Sequence, residues 1–78
     1  MNPKKLDHFL KVAQAGSVSR AADRMQMSQP TLSREIRELE TELGAVLLSR
    51  HARGVSLTPA GEALKTRAEL VLNLLETL

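Results

Sequence analysis

Apolar residues recur at helical spacing in four stretches of the 78-residue chain, and between the third and fourth of these the helical period is lost. In the first stretch Leu6, Phe9, Leu10 and Ala13 fall on one face. Asn2 is placed to cap that helix, Pro3 sits at the first helical position where its missing N–H costs nothing, and Gly16 ends it in a left-handed conformation. Ser17 caps a second helix with Val18, Ala21, Ala22 and Met25 inward. So short a helix draws its stability from packing against neighbours. Gln26-Met27-Ser28 make a turn, with Gln26 where such turns often hold a glycine. Ser28 then caps a third helix, 29–42, whose buried stripe is Leu32, Ile36, Leu39 and Leu43 and whose stop is Gly44.

In the aperiodic stretch, 46–57, two apolar pieces, Val46-Leu47-Leu48 and Val55-Ser56-Leu57, flank Arg50-His51-Ala52-Arg53-Gly54. This predicts a small β-hairpin with Arg50 and Arg53 at or near its tip and Gly54 supplying a positive φ. Thr58 and Pro59 open a fourth helix, 59–78, as N-cap and first residue. Within it Leu64, Ala68, Val71, Leu75 and Leu78 are spaced four, three, four and three apart, the heptad pattern of a helix lying along another helix. At about 30 Å such a helix outreaches a three-helix core, so residues 68–78 are expected to form mainly a dimer interface and 59–63 to lie nearer the core.

Residues 18–37 thus read as two short helices joined by a tight polar turn, a helix-turn-helix. Ala21 and Ala22 allow the two backbones a close approach. Opposite the buried stripe, the second helix of the pair offers Pro30, Arg34 and Arg37, with Thr31 and Ser33 to either side, a surface suited to a groove of DNA. The fold class expected is mainly α: a winged helix-turn-helix of three helices and a β-hairpin wing over 1–58, then a long linker helix for dimerisation over 59–78.

Composition narrows the function. The net charge is only +2, but Arg20, Arg24, Arg34 and Arg37 stand against Asp23 and Glu35 in the helix-turn-helix, and Glu38, Glu40 and Glu42 form an acidic block behind it. The chain has no cysteine, and His8 and His51 are too far apart for the usual zinc spacing, so neither disulfide nor metal nor other cofactor is expected. Phe9 is the sole aromatic residue, which removes the stacking platforms of single-strand and RNA binders and favours duplex DNA. No apolar run reaches membrane-spanning length, and the chain reads as cytosolic with no membrane partner. Ser49 lies near His51, but no oriented acid accompanies them, which argues against an enzyme. The rival to DNA binding is a protein-interaction adaptor that uses the fourth helix as a coiled coil.

Leu6-Asp7-His8-Phe9-Leu10, Gly16-Ser17-Val18-Ser19-Arg20-Ala21-Ala22, Ser28-Gln29-Pro30-Thr31-Leu32-Ser33-Arg34-Glu35-Ile36, and Arg53-Gly54-Val55-Ser56-Leu57-Thr58 with Ala60-Gly61 together resemble the amino-terminal domain of the LysR-type transcriptional regulators. The likeness covers essentially the whole chain. It implies a bacterial regulator that pairs two subunits through the linker helix, acts as a tetramer, and senses a small-molecule effector through a downstream domain absent from this sequence. It also implies base reading by Gln29, Pro30, Thr31, Ser33 and Arg34, and a wing arginine, Arg50 or Arg53, in the minor groove.

Chemistry assigns roles within that set. Arg34 can donate a bidentate pair to guanine O6 and N7, or else pair with Glu38 one turn on. Thr31 and Ser33 offer hydroxyls to bases or phosphates, unless they bond back to their own helix, and Pro30 offers shape to a thymine methyl. Ser17 and Ser28 cap helix ends that can also hold a phosphate through backbone N–H groups. Arg50 and Arg53 suit the negative potential of a narrow minor groove, whereas Arg20, Arg24 and Arg37 suit phosphates.

Overall fold

The structure is a computed structural model that describes residues 2–78. In chain order it comprises α1 (Pro3–Ala15), α2 (Val18–Met25), α3 (Gln29–Leu43), β1 (Leu48–His51), β2 (Gly54–Leu57) and α4 (Pro59–Thr77). All four helices begin as their sequences dictate. Asn2, Ser17, Ser28 and Thr58 each have extended backbone and accept, through the side-chain oxygen, from the N–H three residues on: Lys5 at 2.9 Å, Arg20 and Thr31 at 3.2 Å, and Gly61 at 3.0 Å.

Helix α1 is central, touched by α2, α3, α4 and β2. That explains a buried face wider than the expected stripe: Val12 is fully enclosed and Ala15 is buried, while Ala13 is only half-buried. Phe9 and Val12 meet Leu32, Ile36 and Leu39 of α3 and Leu47 of the following segment in the centre of the core. Leu43, expected on the α3 stripe, is 38% exposed; it lies in the last turn of α3, directly before Gly44.

The turn between α2 and α3 forms without glycine. Gln26 adopts the left-handed conformation (φ 55°), and the N–H of Met27 bonds to the carbonyl of Ala22 at 2.9 Å. The hairpin is shifted relative to its apolar pieces. Val46 lies outside the strand and is exposed, and the antiparallel register pairs Leu48 with Leu57, Ser49 with Ser56, Arg50 with Val55 and His51 with Gly54. Strand alternation then puts Leu48, Arg50, Val55 and Leu57 on one face and Ser49, His51 and Ser56 on the other.

Helix α4 meets the core differently from the expectation. In its first turn only Gly61 is buried; Ala68 is 1% exposed, and Leu64 and Leu72 pack against the core cluster. Ala68 is therefore enclosed by its own chain and is unavailable to a partner helix, which corrects its assignment to the dimer seam. The outward side holds Leu70, Val71, Leu74, Leu75 and Leu78, each at least 42% exposed. Among the described residues no helix is long and apolar enough to cross a membrane.

Candidate nucleic-acid interface

Two backbone features bring the wing to the helix-turn-helix. The N–H of Val55 in β2 bonds to the carbonyl of Gly16 at 3.0 Å, which ties the hairpin to the turn that opens α2. Gly54, at φ 131°, lies so close to that carbonyl that a Cβ would stand 2.1 Å from its oxygen. Only glycine combines that φ with that approach.

The result is a cleft with Ser17, Val18, Ser19 and Gln29 on one wall and the wing residues from Arg50 to Val55 on the other. It unites Ser17, Gln29, Arg50 and Arg53 from three separate elements, and no carboxylate lines it. Gln29 and Pro30, the first residues of α3, are exposed. Thr31 and Ser33 are half-buried, and Ser28 donates its hydroxyl to Thr31 Oγ1 at 2.7 Å, which leaves the Thr31 hydroxyl hydrogen free to donate. Arg34 and Arg37 are exposed but lie elsewhere: they share a second depression with Lys5, Glu38, Thr41 and Glu42.

Charge is sorted across the molecule. Each ion pair between two described residues involves α1: Lys5 with Glu38 and Glu42 at 3.5 Å each, His8 with Glu35, and Lys11 with Asp7 at 2.7 Å. Partial desolvation lowers the pKa of Lys5, but the carboxylates of Glu38 and Glu42 outweigh it and hold the ammonium above its usual value. Three acidic side chains of α3 are thereby occupied by α1. The expected alternative for Arg34, a pair with Glu38, does not form, and among the described residues Arg20, Arg24, Arg34, Arg37, Arg50 and Arg53 have no carboxylate partner.

Sequence reasoning missed three side chains that shape this region. Glu40, counted in the acidic block, is turned inward to the backbone of Leu47 and Leu48. His8 is half-buried against Glu35. His51 bonds within the wing to Ser56 and to the backbone of Arg53; a histidine two residues before an arginine-glycine turn was the available signal for it.

Three helices with a two-stranded hairpin held against them and a long final helix define a winged helix-turn-helix domain. Residues 3–62 match the family of bacterial regulatory helix-turn-helix proteins of the lysR type, and the chain belongs to that family. It is 43% identical over 74 residues to the HTH-type transcriptional regulator TcbR of Pseudomonas sp. (strain P51), covering 95% of this chain and 25% of that one. It is 45% identical over 76 residues to the regulator TfdT of Cupriavidus pinatubonensis (strain JMP 134 / LMG 1197), covering 97% and 33% respectively. The chain thus spans a quarter to a third of these relatives. Among solved structures, the DNA complex of the CbnR DNA-binding domain superposes with a TM-score of 0.95 at 42% identity, over 99% of this chain and 88% of that one. The complex of the BenM DNA-binding domain with benA site 1 DNA gives 0.93 at 38% identity, over 99% and 90%.

Proposed function

We propose that this chain is the DNA-reading domain of a bacterial transcriptional regulator, with the start of α3 in the major groove and the wing tip in the adjacent minor groove. The observation that carries the reading is the sorting of charge. Carboxylates of α3 are drawn back to α1, while the arginines of the helix-turn-helix have no carboxylate partner among the described residues and those of the wing border a cleft without acidic residues. The CbnR and BenM complexes, whose domains match this fold nearly end to end, support the same reading.

Within it, Gln29, Pro30, Thr31, Ser33 and Arg34 face base edges, Ser17 and Ser28 present helix N-termini to phosphates, and Arg37 contacts the backbone. Arg53, in the two-residue loop, is the wing arginine that enters the minor groove. Arg50, on the same strand face as Val55 and in the cleft with Gln29, contacts the intervening phosphates. The exposed apolar side of α4 pairs with its counterpart in a second copy, so that two recognition helices read half-sites related by a twofold axis. In the whole regulator these dimers associate into tetramers, a further domain binds the effector, and the protein works in the bacterial cytoplasm.

Titration of the chain against a duplex selected from a random-sequence pool, over a range of salt, tests the proposal. Affinity is expected to fall steeply as salt rises, and Arg34→Ala to cost about 1–3 kcal/mol while relaxing base choice at one position. Salt-independent binding, or no binding, would leave the adaptor reading in its place.

A further inference from the structure

The wing closes through a short turn followed by a glycine. His51 and Gly54 are paired across the hairpin, leaving Ala52 and Arg53 as a two-residue loop. Loops of that length match the twist of their strands when a loop residue has positive φ; with ordinary φ the strands splay. Neither Ala52 nor Arg53 has positive φ, which falls to Gly54 instead. Nor does a carboxylate steady the basic tip, since none occurs between Glu42 and Glu62.

His51 ties the loop to both strands. Its Nδ1 accepts from the backbone N–H of Arg53 at 3.3 Å, which requires Nδ1 to be unprotonated. The neutral ring then carries its hydrogen on Nε2 and donates it to Ser56 Oγ, 2.8 Å away in β2. One imidazole therefore makes the bond to the i+2 N–H that an asparagine makes in an Asx turn, and also a bond across the strands. Having accepted from His51, the Ser56 oxygen keeps its own hydrogen as a donor toward solvent or a phosphate.

We propose that His51 is a positioning residue for Arg53: as the Nε2–H tautomer it fixes the backbone from which the Arg53 guanidinium enters the minor groove. The inference rests on the DNA-binding reading above and adds to it a residue that acts through another. Affinity is read for single and double variants of the chain on one fixed duplex selected with the unaltered chain. His51→Ala is expected to weaken binding about five-fold, the loss of roughly one hydrogen bond's ordering. His51→Asn, which restores the bond to the i+2 N–H, is expected to recover most of that loss, and in the double variant His51→Ala should add almost nothing to Arg53→Ala. In the free chain, imidazole ¹⁵N shifts in mildly alkaline buffer should report a protonated Nε2 and a bare Nδ1, with amide spectra outside the wing unchanged in each variant.

Additive losses in the double variant would overturn the proposal, since His51 would then touch DNA in its own right. So would the opposite tautomer, or a His51→Ala chain that binds like the unaltered one. Failure of the underlying reading looks different: the unaltered chain would itself show no salt-sensitive binding to any selected duplex.

Discussion

The Glu40 carboxylate accepts a 2.7 Å hydrogen bond from the backbone N–H of Leu47, and the same oxygen accepts a second from Leu48 at 3.3 Å. From the other side Thr58 donates its hydroxyl to the carbonyl of Val46 at 2.5 Å and its N–H to that of Leu47 at 3.0 Å. Gly61 completes the clamp, lying where a Cβ would come within 2.2 Å of the Leu47 oxygen. The segment leaving α3 is thus held between α3 and the first turn of α4. Its consequence is geometric: α4 leaves the core in a direction set relative to α3.

Removing the Glu40 carboxylate strands two partly buried N–H groups. Glu40→Ala is therefore expected to destabilise the chain by about 1–3 kcal/mol in denaturant unfolding. Glu40→Gln keeps an acceptor oxygen in place and should recover most of that loss. Equal midpoints for the alanine variant and the unaltered chain would mean that water replaces the carboxylate without cost.

How much of this was legible in the residues follows from how local each feature is. The caps at Asn2, Ser17, Ser28 and Thr58 were readable because a cap is decided by one side chain and the three residues after it. The wing was readable as a hairpin but not in its limits: Val46 is as apolar as Leu48, and only the register with β2 excludes it. Glu40 was read as surface charge because its partners, Leu47 and Leu48, are backbone groups that any sequence would offer. Likewise the heptad in α4 could not separate Ala68, which faces its own core, from Leu75, which faces outward, since both satisfy the same spacing. Of the candidate site, Ser17, Gln29, Arg50 and Arg53 converge on one cleft only through the contact of Gly54 with Gly16, which no periodicity encodes.

Gln26 occupies a left-handed position that glycine adopts without steric cost. Part of the gain from Gln26→Gly is offset by the greater freedom of glycine in the unfolded chain. The substitution is nonetheless expected to raise stability by up to about 1 kcal/mol, because the strain relieved is the larger quantity. Thermal unfolding checks this, and a lowered midpoint would show that the glutamine side chain contributes a contact worth more than the strain.

Gly54→Ala brings strain and collision together at the contact that holds the wing to α2. Because the clash is with backbone at Gly16, the wing is expected to move away while the three-helix core stays folded. DNA affinity should fall by roughly ten-fold or more, about 1.4 kcal/mol, with helical circular dichroism nearly unchanged. Gly16, also at positive φ but with nothing within 4 Å of its added Cβ, provides the comparison: Gly16→Asn, a residue that tolerates the left-handed region, should bind DNA nearly as the unaltered chain does. Equal losses at the two sites would separate the wing's placement from the Gly54 contact.

The two sides of α4 separate folding from association. Ala68→Leu forces extra volume into a core position that is 1% exposed, and is expected to cost about 1–3 kcal/mol of stability. Leu75 is 48% exposed within the single chain, so Leu75→Glu should leave the unfolding of that chain within about 0.5 kcal/mol of the original. Its effect belongs to association: if Val71, Leu75 and Leu78 form the seam between two copies, a carboxylate at its centre is buried without a partner and dimers dissociate. Sedimentation equilibrium of both variants reads the difference, with Leu75→Glu monomeric at concentrations where Ala68→Leu, once folded, remains paired. Loss of the dimer also uncouples the two half-sites, so affinity for a palindromic duplex should fall toward that for a single half-site. An undiminished dimer in Leu75→Glu would move the seam to the neighbouring Leu70 and Leu74, which are exposed on the same helix.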